Sequence, residues 1–285
     1  MVEKMFPKIM GILNVTPDSF SDGDKMNVQN DFINIDFIEQ KVKQIINDGA
    51  DIIDVGGEST RPNSDEVPIE IELARVLPTV KLIKTKFPNI KISVDTRKAE
   101  VVEECLKLGA DMFNDVSGLR YSPEIAEIIA KHNAKHNKEI ELVIMHSKDT
   151  PKNMQNNPQY ENVVKEVFDF LSEKILFAKS KGVNKIFADV GIGFGKTTEH
   201  NIELLRNIKY FEDLKTDLLL GISRKRFIGE ITKIANPAER DVATMLIHSL
   251  LLNQTVIKII RVHNVSLAMT LREISEKFFK KKNCK

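Results

Sequence analysis

The chain has 285 residues, 42% of them hydrophobic, and its 42 basic and 41 acidic side chains give a net charge of +1. This length supports a complete hydrophobic core. The balanced charge excludes a general electrostatic attraction to nucleic acid or to a membrane surface, and no apolar run approaches the ~20 residues needed to span a bilayer. We therefore expect neither nucleic acid nor a membrane among its partners.

Cysteine is scarce, which is typical of a protein from a reducing compartment. Cys105 lies in a helical pattern and Cys284 in the terminal tail, so we expect no disulfide and no cysteine-bound metal. The residues after Met1 lack the apolar core of a signal peptide. We expect a cytoplasmic protein.

Eight short runs rich in Ile and Val are bounded by Gly, Asn and Asp, a pattern that predicts β-strands. The predicted strands are 8–15, 51–57, 91–96, 112–117, 141–147, 185–192, 217–223 and 256–263. The segments between them have apolar residues at helical spacing. The predicted helices are 37–48, 69–87, 99–108, 123–132, 160–181, 199–210, 238–252 and 265–279. Gly49, Gly109 and Gly182 each follow a predicted helix, as C-terminal caps do.

The alternation of strand and helix predicts an α/β fold of parallel strands joined by crossover helices. A closed (β/α)8 TIM barrel is the simplest such architecture, and we predict one barrel domain over residues 1–285. The alternative is an open doubly wound sheet. It is less favoured because polar residues follow nearly every strand, whereas an open sheet collects its site at one switch point.

In a barrel, the polar ends of the strands meet at one mouth and build the active site. Each polar residue also has an ordinary structural explanation: Asp95 and Asp189 could cap helices, Asn114 could satisfy a neighbouring loop, and His263 could be a structural histidine. The glycines of 191–195 are a weak signal alone. Independent polar ends on every strand make the structural explanations hard to sustain together.

Two kinds of chemistry are represented at the strand ends. Asp95, Asn114, Asp189 and Lys225 combine carboxylate acceptors with a strong donor, which suits a flat heterocycle carrying NH2, NH and C=O on its edge. A second set suits a phosphate or pyrophosphate, with an amide oxygen for Mg2+. Its members are Asn14, Arg61, Arg261 and His263. We therefore expect a heterocycle bound deep in the mouth and an anionic group near its rim.

Seven motifs resemble those of the dihydropteroate synthase family and follow that family's order. They are MGILNVTPDSFSDG (10–23), DVGGESTRP (54–62), SVDT (93–96), FNDVSG (113–118), GFGK (193–196), GISRK (221–225) and RVH (261–263). One such motif could arise by chance, but seven in order over nearly the whole chain could not. The resemblance implies a transferase that condenses 6-hydroxymethyl-7,8-dihydropterin diphosphate with p-aminobenzoate. Pyrophosphate is released, and 7,8-dihydropteroate is formed for folate biosynthesis.

The resemblance also implies roles for individual residues. The pterin would be bound by Asp95, Asn114, Met145, Asp189 and Lys225. The pyrophosphate would be bound by Asn14, Arg61, Arg261 and His263, with Asn14 also a ligand of a Mg2+ cofactor. The p-aminobenzoate side would be shaped by Phe20, Thr60, Pro62, Phe194 and Ser223. The implied catalytic residues are Asp95, Asp189, Lys225, Arg261, His263 and Arg61. A homodimer and sensitivity to sulfonamides are implied as well.

The chain departs from the family's motifs directly after two of the quoted triplets. Arg226 stands where Ser often follows the SRK triplet, and Asn264 stands where the RVH triplet is commonly followed by Asp. Arg226 would border the p-aminobenzoate carboxylate, whereas Arg224 is expected to pair outside the pocket.

Three other functions are considered. A pterin-dependent methyltransferase would use methyltetrahydrofolate in a similar barrel, but it has no need of the pyrophosphate set. An aldolase would form a Schiff base on Lys225. A non-catalytic pterin-binding barrel would not need Asn14, Arg61, Arg261 and His263.

Overall fold

A computed structural model of the chain describes residues 6–16, 34–59, 64–148 and 158–279. Within these ranges eight parallel strands pair in sequence order, and the last pairs with the first to close a barrel. The strands are β1 (Lys8–Asn14), β2 (Ile52–Gly56), β3 (Lys91–Asp95), β4 (Met112–Asp115), β5 (Glu141–Met145), β6 (Ile186–Asp189), β7 (Asp217–Leu220) and β8 (Ile257–Val262). The predicted TIM barrel is confirmed, and the open sheet is excluded.

Helices connect successive strands and cover the barrel. They are α1 (Ile35–Asn47), α2 (Ile69–Lys86), α3 (Ala99–Lys107), α4 (Ile125–His136), α5 (Val163–Ser180), α6 (Thr198–Arg206), α7 (Arg226–Thr232), α8 (Asp241–Leu250) and α9 (Val265–Phe279). Short 3₁₀ helices follow α6 (Ile208–Leu214) and precede α8 (Pro237–Arg240). None of the helices in the described part of the chain is long and apolar enough to cross a membrane.

Helix ends follow the local sequence closely. The side chains of Asn34, Asn162 and Thr197 cap α1, α5 and α6 by accepting a backbone N–H. The glycines predicted to end three helices have φ of +98°, +87° and +101°, which is the left-handed region that glycine adopts without strain. These predicted caps are confirmed.

Two segments differ from the sequence-based prediction. Helix α7 was not predicted, because it is short and begins inside the run of cations at 224–226. It forms because Phe227 and Ile228 are buried against the outer core. The predicted helix 199–210 is instead α6 followed by a 3₁₀ turn, in which Ile208 and Phe211 are buried.

Side chains inside the barrel form layers, because alternate residues of each strand face inward. One layer is an apolar plug made of Met10, Ile52, Met112, Val143, Phe187, Leu219 and Ile259. The next inward position on several strands, one step nearer the C-terminal end, is polar. These positions carry Asp54, Asn114, Asp189 and Arg261. The plug therefore forms the floor of a polar cavity that opens at the C-terminal ends of the strands.

Candidate active site

Polar residues of the predicted site lie at the C-terminal ends of several strands. The strand register pairs Asn14 with Gly56, Gly56 with Asp95, and Asp95 with Asn114. Gly56 leaves space in this row, since a Cβ there would lie 3.5 Å from Asn14 Oδ1 and 3.8 Å from Asp95 Oδ2. Asp189 ends β6 on the opposite side of the barrel. The fold thus brings these polar groups to one mouth.

Arg261 joins two carboxylates of this mouth. Its Nε donates to Asp54 Oδ2 at 2.6 Å, and its Nη2 donates to Asp95 Oδ2 at 2.8 Å. Asp95 Oδ1 is buried and makes no hydrogen bond within the described residues. Burial raises the pKa of Asp95 to about 7; the Arg261 charge opposes this rise and the Asp54 charge adds to it. Asp95 is therefore not a helix cap, and one of its oxygens is available to a ligand N–H.

The amide of Asn114 takes its orientation from Asp54. Asn114 Nδ2 donates to Asp54 Oδ2 at 3.3 Å, and both side chains are buried. With its NH2 group directed at Asp54, the amide presents Oδ1 on its other side, and this assignment follows from the hydrogen-bond network. Asn114 thus acts inside the barrel and does not satisfy a neighbouring loop.

Asp189 is held by the glycine-rich loop that follows β6. Its Oδ1 accepts the N–H of Gly191 at 2.8 Å, while its Oδ2 lies 3.5 Å from the position a Cβ would occupy at Gly221. The N-cap of α6 is Thr197, so Asp189 does not cap that helix. Burial raises the pKa of Asp189 to about 6, against the Gly191 hydrogen bond and the charge of Lys225. The remaining oxygen faces the space left by Gly221.

Lys225 packs on an aromatic ring of the same glycine-rich loop. Its Nζ lies 4.0 Å from the centroid of the Phe194 ring, a distance at which a cation is attracted to the ring face. A Cβ at Gly193 would lie 3.2 Å from Lys225 Cδ, so this glycine makes room for the lysine. Burial and Arg261 lower the pKa of Lys225 to about 8, with Asp189 and Asp95 opposing. The amine remains mainly protonated at neutral pH.

The loop after β7 is held by an ion pair and hydrogen bonds to α8. Arg224 has a left-handed φ of 60° and donates through Nε and Nη2 to the two oxygens of Asp241, both at 2.7 Å. Asp241 Oδ2 also accepts from Asn264 Nδ2 at 3.2 Å. Arg240 Nη1 donates to the carbonyl oxygen of Arg224 at 3.1 Å. The expectation that Arg224 pairs outside the pocket is confirmed, and Asn264 supplies a donor that Asp could not.

Arg226 points away from the mouth. Its side chain is 68% exposed and pairs with Glu230 one turn later in α7, at 3.1 Å. An exposed pair of this kind contributes little to stability. In this arrangement Arg226 contacts its own helix and not the polar layer of the barrel.

Ser223 and His263 form a hydrogen-bonded pair at the rim. Ser223 Oγ accepts the backbone N–H of His263 at 3.1 Å and lies 2.9 Å from the ring Nδ1. Burial, with the charges of Arg224 and Arg261, lowers the pKa of His263 to about 3. The imidazole is therefore neutral. A Ser223 hydroxyl that donates to Nδ1 leaves Nε2 as an N–H donor.

A buried lysine fixes the shape of the glycine-rich loop. Lys196 is 1% exposed, and its Nζ donates to the carbonyl oxygens of Gly191 at 2.9 Å and Phe194 at 3.1 Å. It also lies 2.9 Å from His146 Nδ1. Burial together with Lys196 lowers the pKa of His146 to about 2, so the ring is neutral and can accept from the lysine. These hydrogen bonds of Lys196 fix the loop that carries Phe194 and the N–H donor of Asp189.

A second buried network supports the segment after β2. Lys98 is 1% exposed and donates to Glu72 Oε2 at 2.5 Å and to the Val67 carbonyl at 2.7 Å. Glu58 accepts from the Val67 N–H at 2.8 Å and pairs with Arg97 at 3.0 Å. Paired buried charges of this kind are costly to disrupt one at a time. Both backbone groups of Val67 are thereby tied to the barrel.

Some predicted residues fall outside the described part of the chain. These are Phe20, Thr60, Arg61 and Pro62. Met145 is described: it is 3% exposed at the end of β5, and its register partner is Asp189. It is thus adjacent to the carboxylate implied to bind the same ring.

Asp54, His146 and Lys196 were not singled out from the sequence, although the structure places them in or directly behind the mouth. Asp54 and Lys196 occur inside quoted motifs, but strand-end reasoning assigned neither of them a role. Asp54 lies two residues before the end of β2, and Lys196 comes well after β6. A search for charged residues at every inward strand position would have found Asp54.

The fold and the site are those of a barrel whose polar mouth suits a flat, hydrogen-bonding ring and an anion. Among the described residues no group of three His, Cys, Asp or Glu side chains is placed to hold a metal ion. The Asn14 amide oxygen at the mouth suits Mg2+, which typically takes few protein ligands and is held chiefly through water and substrate phosphates.

Comparison with known proteins identifies the family. The model of the pterin binding enzyme family matches residues 10–263. Dihydropteroate synthase of Clostridium beijerinckii is 44% identical over 223 residues, which are 78% of this chain and 76% of that protein. The structure of Xanthomonas albilineans dihydropteroate synthase with 4-aminobenzoic acid superposes with a TM-score of 0.84 at 35% identity, covering 97% of this chain and 94% of that one.

A sulfonamide complex of Yersinia pestis dihydropteroate synthase superposes with a TM-score of 0.85 at 35% identity, covering 96% and 95% of the two chains. The chain belongs to the pterin-binding enzymes and, among these, to the dihydropteroate synthase family.

Proposed function

We infer that the chain acts as a dihydropteroate synthase, a transferase of folate biosynthesis. It condenses 6-hydroxymethyl-7,8-dihydropterin diphosphate with p-aminobenzoate, forming 7,8-dihydropteroate and pyrophosphate. The observation that carries this function is the ring of buried polar groups on the apolar plug. Asp95 Oδ1 has no hydrogen bond in the described residues, and Asp189 Oδ2 lies beside Gly221, which has no side chain to cover it. These acceptors match the N–H groups on the edge of a pterin.

The pterin lies above the plug with its edge groups paired to the barrel. Asp189 and Asp95 accept ring N–H and NH2 protons, Asn114 Oδ1 accepts another, and Lys225 donates to the ring carbonyl or a ring nitrogen. Met145 packs on the ring face. Burial of every partner strengthens these hydrogen bonds, because water does not compete for them. A ring lacking the matching donors would leave buried carboxylates unpaired and would be rejected.

The pyrophosphate lies nearer the rim. Arg261 and His263 Nε2–H are the described donors, and Arg61 would join them from the segment after β2. Asn14 would hold Mg2+, which would neutralise charge on the pyrophosphate oxygens. The Arg261 guanidinium already carries two carboxylate contacts, so it offers its remaining N–H groups to the leaving group.

The reaction exchanges one bond for another at the exocyclic methylene of the pterin. The C–O bond to pyrophosphate breaks, and its electron pair leaves with the pyrophosphate. The dihydropterin ring delocalises the resulting positive charge, which the Asp95 and Asp189 carboxylates stabilise. The neutral aryl amine then forms the C–N bond and releases its proton to water or to pyrophosphate. Catalysis is mainly positional and electrostatic, and no side chain is required as a base.

The p-aminobenzoate is placed on the rim side of the pterin. Phe194 and Ser223 are the described residues implied there, and Phe20, Thr60 and Pro62 would complete the site. Phe194 is fixed by its carbonyl contact with Lys196 and by its packing on Lys225. We propose that sulfonamides, which resemble p-aminobenzoate, compete for the same place.

Pyrophosphate release tests this function directly. Purified protein is incubated with the dihydropterin diphosphate and Mg2+, with and without p-aminobenzoate. We expect release that depends on p-aminobenzoate, and formation of dihydropteroate in equal amount. Pterin binding without product would indicate a non-catalytic pterin-binding barrel. A covalent adduct on Lys225 after borohydride treatment with a carbonyl substrate would indicate an aldolase.

We also propose that the chain forms a homodimer through α8 and α9. Val242, Leu246 and Leu250 of α8 are 61%, 62% and 77% exposed, and Phe278 of α9 is 82% exposed. The α8 residues recur every fourth position and therefore form one stripe. Exposed apolar side chains on two helices that pack together suit a second copy related by a twofold axis, since such an interface is self-complementary.

Light scattering coupled to size exclusion tests the dimer. Leu246→Glu should convert the dimer into a monomer, because it buries an unpaired charge in the interface. Leu176→Glu is the matched control, since Leu176 is 65% exposed on α5 and should leave the dimer intact. A monomeric wild-type protein would refute the proposal.

A further inference from the structure

Asp54 is the most deeply placed ionisable group of the mouth. It is fully buried on β2, two residues before Gly56, and rests on the apolar plug. Its Oδ2 accepts both from Arg261 Nε at 2.6 Å and from Asn114 Nδ2 at 3.3 Å. It thereby connects a residue of β8 with one of β4, although neither strand pairs with β2.

The way in which Arg261 is held decides what Asp95 can bind. An arginine beside a single carboxylate tends to form two parallel hydrogen bonds and engage both oxygens. Here Asp54 takes Arg261 Nε, so only Nη2 reaches Asp95, at 2.8 Å, and only through Oδ2. Asp95 Oδ1 is left buried without a hydrogen bond in the described residues. A buried acceptor in that state favours binding of a ligand N–H.

The same carboxylate fixes the direction of the Asn114 amide. With Nδ2 donating to Asp54, the acceptor Oδ1 is presented on the opposite side of the amide. A neutral group at position 54 would remove the preference for this orientation, and a flipped amide would present a donor to the ring. Two groups implied to bind the pterin therefore depend on Asp54.

We propose that Asp54 is a positioning residue for pterin recognition: it holds Arg261 and Asn114 so that Asp95 Oδ1 and Asn114 Oδ1 remain available to the ring. The role assigned to Asp54 is exerted through these neighbours and makes it a positioning residue, although its own Oδ1 is also buried without a hydrogen bond in the described residues. This inference rests on the proposed function, because it takes the pterin as the ligand.

Calorimetric titration with 6-hydroxymethyl-7,8-dihydropterin, which lacks the diphosphate, isolates ring recognition from anion binding. Asp54→Asn is expected to weaken binding by about tenfold or more, the usual size of coupling between residues that share a network. Asp115→Asn is the matched control. Asp115 is equally buried, but its hydrogen bonds go to its own loop, including the backbone N–H groups of Ser117 and Leu119 at 2.7 and 2.6 Å. This control should lower the melting temperature and leave pterin affinity unchanged.

A double-mutant cycle separates positioning from a general structural role. Arg261→Lys keeps the positive charge but cannot bond both carboxylates through one planar group. If Asp54 acts by holding Arg261, Asp54→Asn costs much less affinity in the Arg261→Lys protein than in the wild type. Should Asp54→Asn fail to fold, Arg261→Lys alone must still weaken binding of the phosphate-free pterin.

Three results would overturn the proposal: wild-type affinity in Asp54→Asn, equal affinity losses in Asp54→Asn and Asp115→Asn, or unchanged affinity in Arg261→Lys. A wild-type protein that binds no pterin would instead overturn the proposed function, and Asp54 would lose its assigned role with it. The two failures are therefore distinguishable from the wild-type titration alone.

Discussion

Asp189 must be ionised to accept two N–H groups from a ring edge, and its environment makes ionisation difficult. Its pKa is raised to about 6 by burial, and that of Asp95 is raised to about 7 by burial. Both carboxylates are charged above these values and become protonated below them. We predict that pterin affinity decreases as the pH falls from 8 to 5, as measured by calorimetry at fixed salt.

Asp189→Asn separates the contribution of this residue. The amide keeps the shape but can accept with only one group, so pterin binding should be lost. Its remaining pH dependence, where measurable, should follow Asp95 alone. Normal pterin affinity in this variant would contradict the assignment of Asp189.

For individual residues, the sequence predicts which functional groups reach the mouth better than it predicts which side chains contact each other. Asp95, Asn114 and Asp189 could be chosen because each ends a strand, and a strand end has a known position in a barrel. Asp54 could not be chosen that way. Its importance comes from Arg261 reaching over β1 to β2 and β3, and such a contact exists only after the barrel has closed.

The loop after β6 contains a glycine that a side chain could not replace without a clash. Gly191 has a φ of +67°, and a Cβ there would lie 1.7 Å from the carbonyl oxygen of His146. We predict that Gly191→Ala lowers the free energy of unfolding by about 3 kcal/mol or more. It should also weaken pterin binding, because the loop carries Asp189's N–H donor. Urea denaturation and calorimetry measure the two effects.

Gly109→Ala provides a control with the same backbone problem and no clash. Its φ is +87°, but the nearest side-chain atom to the added Cβ is Lys84 Cε at 3.7 Å. It should cost about 1 kcal/mol of stability, the strain of a left-handed alanine, and leave pterin affinity intact. Equal stability losses in the two variants would show that the His146 contact is relaxed easily.

Elements with a clear period were predictable, and those held by tertiary contacts were not. Helix α9 spans the predicted residues, because its apolar spacing is regular. Helix α7 has only seven residues, too few to form without support. It is supported by the hydrogen bonds of Arg224 and Arg240, which come from tertiary structure. The local sequence shows only three cations in a row at 224–226.

The stability of the whole molecule depends on pH through histidines that are buried without charge. His248 is 3% exposed beside a cavity lined by apolar side chains such as Leu251 and Ile257, and burial lowers its pKa to about 3. Below its ordinary pKa of 6.5 the unfolded chain binds a proton and the folded chain does not. Stability contributed by neutral His248 is therefore present above pH 6.5 and lost as the pH falls.

We predict that His248→Gln removes this dependence. Between pH 7 and pH 5 the unfolding free energy of the wild type should fall by about 2 kcal/mol relative to the variant, at ~1.4 kcal/mol per pH unit below 6.5. The raised pKa values of Asp95 and Asp189 act in the opposite direction, but they are common to both proteins and cancel. Parallel stability curves, from denaturant titrations at each pH, would refute the prediction.

The overall architecture was the most predictable property, because eight alternations of strand and helix permit few arrangements. Closure of the barrel also explains why the site could be placed at one mouth before any contact was known. The p-aminobenzoate side was less predictable from strand positions, since Phe20, Thr60 and Pro62 end no predicted strand and lie outside the described residues.

The apolar plug separates two regions with different tolerance for redesign. Met10, Ile52, Met112 and the other plug residues contribute packing but no polar atom to the mouth. We therefore expect substitutions away from the mouth, such as those around His248 on α8, to change stability more than turnover. For a protein engineer, the lower half of the barrel is the region in which thermal stability can be raised. In the upper half, the Asp54 carboxylate holds both Arg261 and Asn114, so substitutions there are expected to disturb the site.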